Sequence, residues 1–333
     1  MSGISGARPV EPGPGAGFGV RESRSEAPTG RRSAAPNPRP PTPVRLWLGA
    51  ARLRTLPAAA APVLLGTAFA AGDGAFHAPA ALCALASALL IQVGTNYAND
   101  AEDFVRGADT SDRVGPRRAP AEGWVSAGQM RAAAAVAFGL AFVSGLFLVW
   151  RGGWPILALG LVAIASGYAY TKGRYALAYT GLADAFVLVF FGPVAVGGTY
   201  FVQALALPAW VLVAGIGPGA LATAILVANN VRDVEQDRVA DKRTLVVRFG
   251  RPFGVGLYAA CMATAAIVPA GLVATRTGPV GVLAAALIAA AGGAALTGSL
   301  ARSHGAAAAP ILGKTAAVLM LYSLAFALGW VLT

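Results

Sequence analysis

Long apolar runs alternate with short polar clusters along this chain, and the runs have the length of membrane spans. Nine can be drawn, at about 56–72, 78–98, 127–150, 152–170, 181–200, 208–230, 252–274, 278–298 and 311–332. Roughly 18 or more consecutive apolar residues suffice to cross a bilayer as a helix. The pattern predicts an all-α, polytopic membrane protein with about nine transmembrane helices. Several runs are rich in Ala and Gly, which lowers their hydropathy but lets neighbouring helices approach closely. The first is the weakest, being short and interrupted by Pro57 and Pro62.

Composition supports the pattern. Of the 333 residues 56% are hydrophobic and only 12% charged, about half the charge of an ordinary soluble domain. The net charge of +11 raises the question of nucleic acid, but the distribution argues for topology. With the N-terminus placed inside, only Arg151 and Arg276 of the 26 Lys and Arg fall on the outer face. This bias orients a protein in the cytoplasmic (inner) membrane with its N-terminus in the cytoplasm and its C-terminus outside. The expected partners are thus the lipid bilayer and small substrates, with no nucleic acid and no obligate protein partner.

Residues 1–43 are rich in Pro, Gly, Ser and Arg and nearly free of bulky apolar residues. Such a segment buries too little surface to offset its ordering entropy and is expected to be a disordered cytoplasmic tail, leaving 44–333 as the transmembrane domain. Arg31-Arg32 is not followed by the apolar stretch of an export signal. Cys83 and Cys261 sit in separate apolar runs and read as small core residues. His77 and His304 lie on opposite sides, which excludes a His-based metal site or triad.

The chemistry is concentrated where spans 2 and 6 emerge on the cytoplasmic side. The first cluster runs Asn96-Tyr-Ala-Asn99-Asp100-Ala-Glu102-Asp103 and continues to Gly107-Ala-Asp109-Thr-Ser-Asp112-Arg113-Val-Gly-Pro-Arg117-Arg118. The second runs Asn229-Asn230-Val-Arg232-Asp233-Val-Glu235-Gln-Asp237-Arg238, then Asp241-Lys242-Arg243. Asn96 to Asp100 and Asn229 to Asp233 share one spacing, each at the exit of an even-numbered span, which suggests a duplicated four-helix unit. Residues four apart lie on one helix face, so Asn99 pairs with Asp103 and Asp233 with Asp237; Asp241 would follow if the helix continued. Like charges so spaced repel, and near a bilayer each is costly, so a cation is expected. Mg²⁺ suits them, because it takes oxygen ligands and is bound through one or two carboxylates plus substrate phosphate oxygens. Two facing clusters could hold a diphosphate between two metal ions. The bland alternative is a pair of solvated, charged loop starts.

Two further positions draw attention. Asp184, just inside span 5, is an intramembrane carboxylate and hence a functional candidate, or else a carboxylate near Lys172 or Arg174. In the loop Tyr168-Ala-Tyr170-Thr171-Lys172-Gly-Arg174-Tyr175, Lys172 and Arg174 either serve topology alone or stabilise a departing anionic group.

These stretches resemble the UbiA superfamily of intramembrane prenyltransferases, and within it the 1,4-dihydroxy-2-naphthoate branch of menaquinone biosynthesis. The similar wording is Arg52-Leu-Arg-Thr-Leu-Pro57 through Gly66, Gly94-Thr-Asn-Tyr-Ala-Asn-Asp100, Gly107-Ala-Asp-Thr110, Arg113-Val-Gly-Pro-Arg117, Phe190-Phe-Gly192 and Asn229-Asn-Val-Arg-Asp233 through Leu245. It covers spans 1 to 6; the last three spans offer composition only. The resemblance implies nine helices around a central cavity, with Asn99 and Asp103 on one Mg²⁺ and Asp233 and Asp237 on another. It makes Arg113, Arg117 and Lys172 candidates for holding phosphate, and, with Asp184, for catalysis. Asn96, Asp100, Asp109, Tyr170, Arg174, Asn229, Asn230, Arg232 and Lys242 are then expected to face substrate. The sequence departs from the superfamily at Gly107, where a further Asp is common, and at Tyr170-Thr-Lys-Gly-Arg174, where Tyr-Thr-Gly-Gly-Pro is usual.

The implied reaction transfers a polyprenyl group from a polyprenyl diphosphate to dihydroxynaphthoate with loss of CO₂. Other aromatic acceptors such as 4-hydroxybenzoate, a membrane transporter and a scaffold are the alternatives. A transporter would place its charges near midspan, whereas these acids gather at one face.

Overall fold

The computed structural model describes residues 41–107, 118–170 and 176–333, with Ala178 described in its backbone alone. Among the described residues the chain is helical, with no strand. Eight helical segments are long and apolar enough to span a bilayer, and Trp154–Ala169 is a shorter apolar helix. Together they match the nine runs of the sequence in order. The expected N-terminal tail, together with Asp109, Arg113, Arg117, Lys172 and Arg174, lies outside the described residues.

Helix α1 (Pro43–Ala51) precedes the first span and ends at Arg52, whose φ of 53° is left-handed. The chain then enters α2 (Leu56–Gly72), with Pro57 in its first turn, where a missing N–H leaves no intrahelical bond unmade. Helix α3 (Ala78–Val105) has 28 residues and is therefore about 42 Å long. That exceeds a hydrocarbon core of about 30 Å. The excess of about 12 Å is some two turns, so Asn99 and Asp103 sit on the part of the helix that a span does not need. Helices α4 (Ala127–Gly152) and α5 (Trp154–Ala169) form a tight pair joined at Gly153. Trp150 and Trp154 flank this turn, 79% and 78% exposed, as aromatic residues do at a membrane–water boundary.

After the short α6 (Leu177–Thr180), the fifth span is broken. Helix α7 (Ala183–Val189) passes through a π-helical turn at Phe190–Val194 into α8 (Ala195–Ala204), with Gly192 at φ −112°, ψ −111° and Pro193 inside the turn. Proline lacks the donor that would continue the ladder, and a π turn is one of the ways a helix takes up such a defect. Helix α9 (Ala209–Arg232) is the buried centre, packing on α2, α7, α8 and the π turn. Gly219 makes this possible: a Cβ there would lie 2.3 Å from the Leu188 carbonyl oxygen. Short helices α10 (Val234–Val239) and α11 (Leu245–Phe249) lead into α12 (Arg251–Ala274), α13 (Leu283–Arg302) and α14 (Ala309–Leu332).

The main core lies among α2, α9, α12, α13 and α14, where Phe69, Leu221, Tyr258, Leu319 and Phe326 are fully buried. Helices α3 and α4 pack on each other through smaller clusters. The open space of the bundle falls between these halves.

Candidate active site

That space is a cavity of about 450 Å³, apolar over most of its wall and polar at one end. Ile91, Leu148, Ile156, Leu157 and Ile164 line its body. Its polar end collects both clusters marked in the sequence: Asn99 and Asp103 from α3, and Asn229, Asn230, Asp233, Asp237 and Lys242 from the α9–α10 region.

Helix geometry decides which acids face inward. Asn99 and Asp103 share a face, whereas Asp100 lies about 100° around the helix from Asn99. Asp100 is expected to contact substrate but does not line the cavity. It is 1% exposed, and its Oδ1 accepts from Arg52 at 2.5 Å and from Arg118 at 2.6 Å. Both of those arginines do line the cavity. Asp100 therefore aims two guanidinium groups at the polar end. Arg232, likewise expected to face substrate, is turned away: it grips Asp233 at 2.5 Å and donates to the Asn229 side chain at 2.7 Å. Its charge is consumed in orienting its neighbours. Asn96 lines the wall, but its amide N–H groups are occupied by the Ala51 carbonyl at 2.8 Å and Thr55 Oγ1 at 3.1 Å, tying α3 to the start of α2.

The second cluster keeps its i, i+4 relation across the end of α9. The Asp237 N–H donates to the Asp233 carbonyl at 2.8 Å, although the helix is interrupted at Asp233. It does not extend to Asp241, whose φ is 51° and whose exposed carboxylate meets Arg243 at 3.4 Å. The two clusters meet through Asp103. Lys242 Nζ lies 3.3 Å from its carboxylate, and the Tyr179 hydroxyl donates to it at 3.2 Å. Burial and then the Asp103 charge push the Tyr179 hydroxyl up, so it stays a donor at neutral pH. Arg106 and Lys242 lie over its ring, 4.5 and 5.2 Å from the centroid.

Asn99, Asp103, Asp233 and Asp237 form an oxygen-only donor set, which fits a hard divalent cation. Among the described residues no three His, Cys, Asp or Glu gather into one group. Each helix end offers two of these side chains, so a bound Mg²⁺ would draw its remaining positions from phosphate oxygens and water. Tyr170 and Asp184 also line the cavity.

Residues 59–313 match the UbiA prenyltransferase family. The chain belongs to this family. It is 39% identical to a 1,4-dihydroxy-2-naphthoate octaprenyltransferase of Mycobacterium tuberculosis over 84% of its own length and 95% of that protein. Against the enzyme of the same description from Escherichia coli it is 39% identical, over 67% of this chain and 74% of the relative. In fold it matches a UbiA homolog from Archaeoglobus fulgidus bound to DMAPP and Mg²⁺, with a TM-score of 0.59 and 16% identity, covering 84% of this chain and 98% of that one.

Sequence reasoning assigned no role to Arg52 and Arg118. One signal for Arg52 was present: an arginine at the threshold of an apolar run, in wording shared with the UbiA family. Arg118 stands in a loop of several arginines, and its burial comes only from the fold.

Proposed function

We propose that this UbiA-family enzyme transfers a polyprenyl group from a polyprenyl diphosphate to 1,4-dihydroxy-2-naphthoate with loss of CO₂, giving demethylmenaquinol in the inner membrane, with its N-terminus in the cytoplasm. The observation that carries the reading is the convergence of two Asp-bearing helix ends on a single cavity with a polar end and an apolar body. The likeness to dihydroxynaphthoate octaprenyltransferases over most of the chain supports the acceptor.

Asn99 and Asp103 on one side and Asp233 and Asp237 on the other would hold Mg²⁺, which supplies charge neutralisation for the departing diphosphate. The protein's own groups do the rest. Arg52, Arg118 and Lys242 line the same polar end and face the phosphate oxygens, where fixed positive charge is most effective as negative charge builds on the leaving group. Asp100 and Arg232 keep the arginines and Asp233 oriented. The apolar body takes the prenyl tail and excludes water, so that the allylic cation meets the acceptor ring before it meets water. Attack from the ring carbon bearing the carboxylate is followed by loss of CO₂.

The test uses membranes containing the protein, a long-chain prenyl diphosphate, and dihydroxynaphthoate or 4-hydroxybenzoate, with Mg²⁺ or EDTA, product being followed by mass. A Mg²⁺-dependent, decarboxylated prenyl-naphthoquinol is expected. Product from hydroxybenzoate alone would overturn the acceptor, and product insensitive to EDTA the metal.

A further inference from the structure

The acids at the polar end each have a partner: Asp103 has Lys242 and Tyr179, Asp233 has Arg232, and Asp237 is likewise engaged. Asp184 differs. It lines the same cavity, is 5% exposed, and neither of its carboxylate oxygens accepts a hydrogen bond from any other described residue. A buried carboxylate without a donor is costly, and one kept inside a membrane cavity calls for a donor that arrives with a ligand.

Its position tells which ligand. Thr223 Oγ1 approaches the Asp184 carbonyl at 3.5 Å, which sets the level of Asp184 along α9. Thr223 precedes Asp233 by ten residues, or about 15 Å along the helix axis. Asp184 therefore lies deeper than the end that receives the diphosphate. Further along the same broken span are Phe186 and Phe190, which also line the cavity and stack on each other with centroids 4.1 Å apart and planes 17° apart. A lone acceptor next to apolar aromatic faces suits a flat ring that carries a hydroxyl.

We propose that Asp184 binds the acceptor: its carboxylate accepts a hydrogen bond from the ring hydroxyl beside the carbon to be alkylated, and takes that proton as the new bond forms. This rests on the function proposed above. The step balances without any further reagent. The allylic C–O bond breaks and its electron pair leaves with the diphosphate. A ring π pair forms the C–C bond, and the hydroxyl proton passes to Asp184, leaving a ring carbonyl. The bond to the carboxylate then breaks; its pair restores the aromatic ring, CO₂ departs, and the carbonyl oxygen recovers the proton from Asp184.

The test compares wild type with Asp184→Asn on dihydroxynaphthoate and on its ether methylated at the hydroxyl beside the carboxylate. Binding of the prenyl diphosphate is measured alongside by thermal shift with Mg²⁺. On dihydroxynaphthoate the variant is expected to lose at least about 10²-fold in kcat and to show a raised KM for that acceptor. Its KM and thermal shift for the prenyl diphosphate should stay within about twofold of wild type, the margin of a residue outside the diphosphate end. On the ether, the two proteins should turn over at the same reduced rate. The substrate pair also tests wild type with no substitution, since the ether alone should reproduce most of the loss. Equal activity of variant and wild type on dihydroxynaphthoate would sink the proposal, as would an equal loss on both acceptors accompanied by loss of diphosphate binding. Failure of wild type itself to make the prenyl-naphthoquinol would instead remove the function and this role with it.

Discussion

Lys242 Nζ sits 3.3 Å from the Asp103 carboxylate, although 139 positions separate the two residues. This contact joins the helix ends that carry the two acidic clusters. It places a cation against the Asp103 carboxylate, at the end of the cavity where the two acidic clusters meet. On the function proposed above, Lys242 would turn from Asp103 to a phosphate oxygen of the bound diphosphate. Lys242→Gln is expected to lower kcat/KM for the prenyl diphosphate by at least about tenfold, the equivalent of one charge-assisted hydrogen bond. Initial rates at varied prenyl diphosphate concentration check this; an unchanged ratio would remove Lys242 from the diphosphate site.

Asp233 and Asp103 are expected to be indispensable. Asp103→Asn and Asp233→Asn keep side-chain volume and remove one carboxylate charge from each cluster. Each should cost at least roughly 10²-fold in turnover with the protein still in the membrane at wild-type amount. Immunoblotting of the membranes, run beside the activity assay, separates loss of function from loss of protein. EDTA should abolish wild-type activity and Mg²⁺ restore it.

Tyr179→Phe removes the hydroxyl that donates to Asp103 but keeps the ring beneath Arg106 and Lys242. A loss of about tenfold in kcat/KM for the prenyl diphosphate is expected. Burial and the Asp103 charge hold this hydroxyl above its ordinary range, so the donating neutral form persists to higher pH than in a free tyrosine. Wild type and Tyr179→Phe should therefore show parallel pH–rate profiles from about pH 6 to 9. A difference that opens with rising pH in this range would mean that Tyr179 ionises during turnover.

Asp100→Asn should act through stability and aim rather than through direct contact. It withdraws a carboxylate that Arg52 and Arg118 share, their side chains being 24% and 8% exposed. Breaking a buried pair by removing one partner costs about 3–5 kcal/mol. With Arg52 partly exposed, the lower end applies, about 3 kcal/mol. Thermal unfolding in detergent should fall by several degrees, and activity should fall with it. Adding Arg52→Gln to Asp100→Asn should cost less than the sum of the two changes.

Gly219→Ala tests the helix crossing beneath the site. The new Cβ would meet the Leu188 carbonyl oxygen at 2.3 Å and the Gly192 Cα at 2.8 Å. These are backbone atoms and cannot swing aside, so α9 must move, at a cost of about 1–3 kcal/mol. Because Asn229 to Asp233 ride on α9, activity should drop together with melting temperature. Gly139→Ala is the control: nothing lies within 4 Å of its Cβ, it does not line the cavity, and both quantities should hold. Equal behaviour of the two variants would contradict the close crossing.

The amino-acid sequence by itself determined the membrane architecture and the pairing of acids within each cluster. Both depend on local periodicity, since a span is a length of apolar residues and the i, i+4 relation of Asn99 to Asp103 needs only a helix. What it could not supply was the direction of each polar side chain relative to elements far away. Asp100 reads like Asn99 and Asp103 along the chain, yet a rotation of about 100° turns it to Arg52 and Arg118 and away from the cavity. Asp241 fits the spacing, but the helix ends before reaching it. Asp184 reads as an acid near a span end, and only the packing of α7 on α9 shows it buried, with no donor from another side chain among the described residues. Tertiary structure decided these because partners such as Lys242 for Asp103 are set by how helices pack, and that depends on small contacts such as Gly219 against the Leu188 carbonyl rather than on any local pattern.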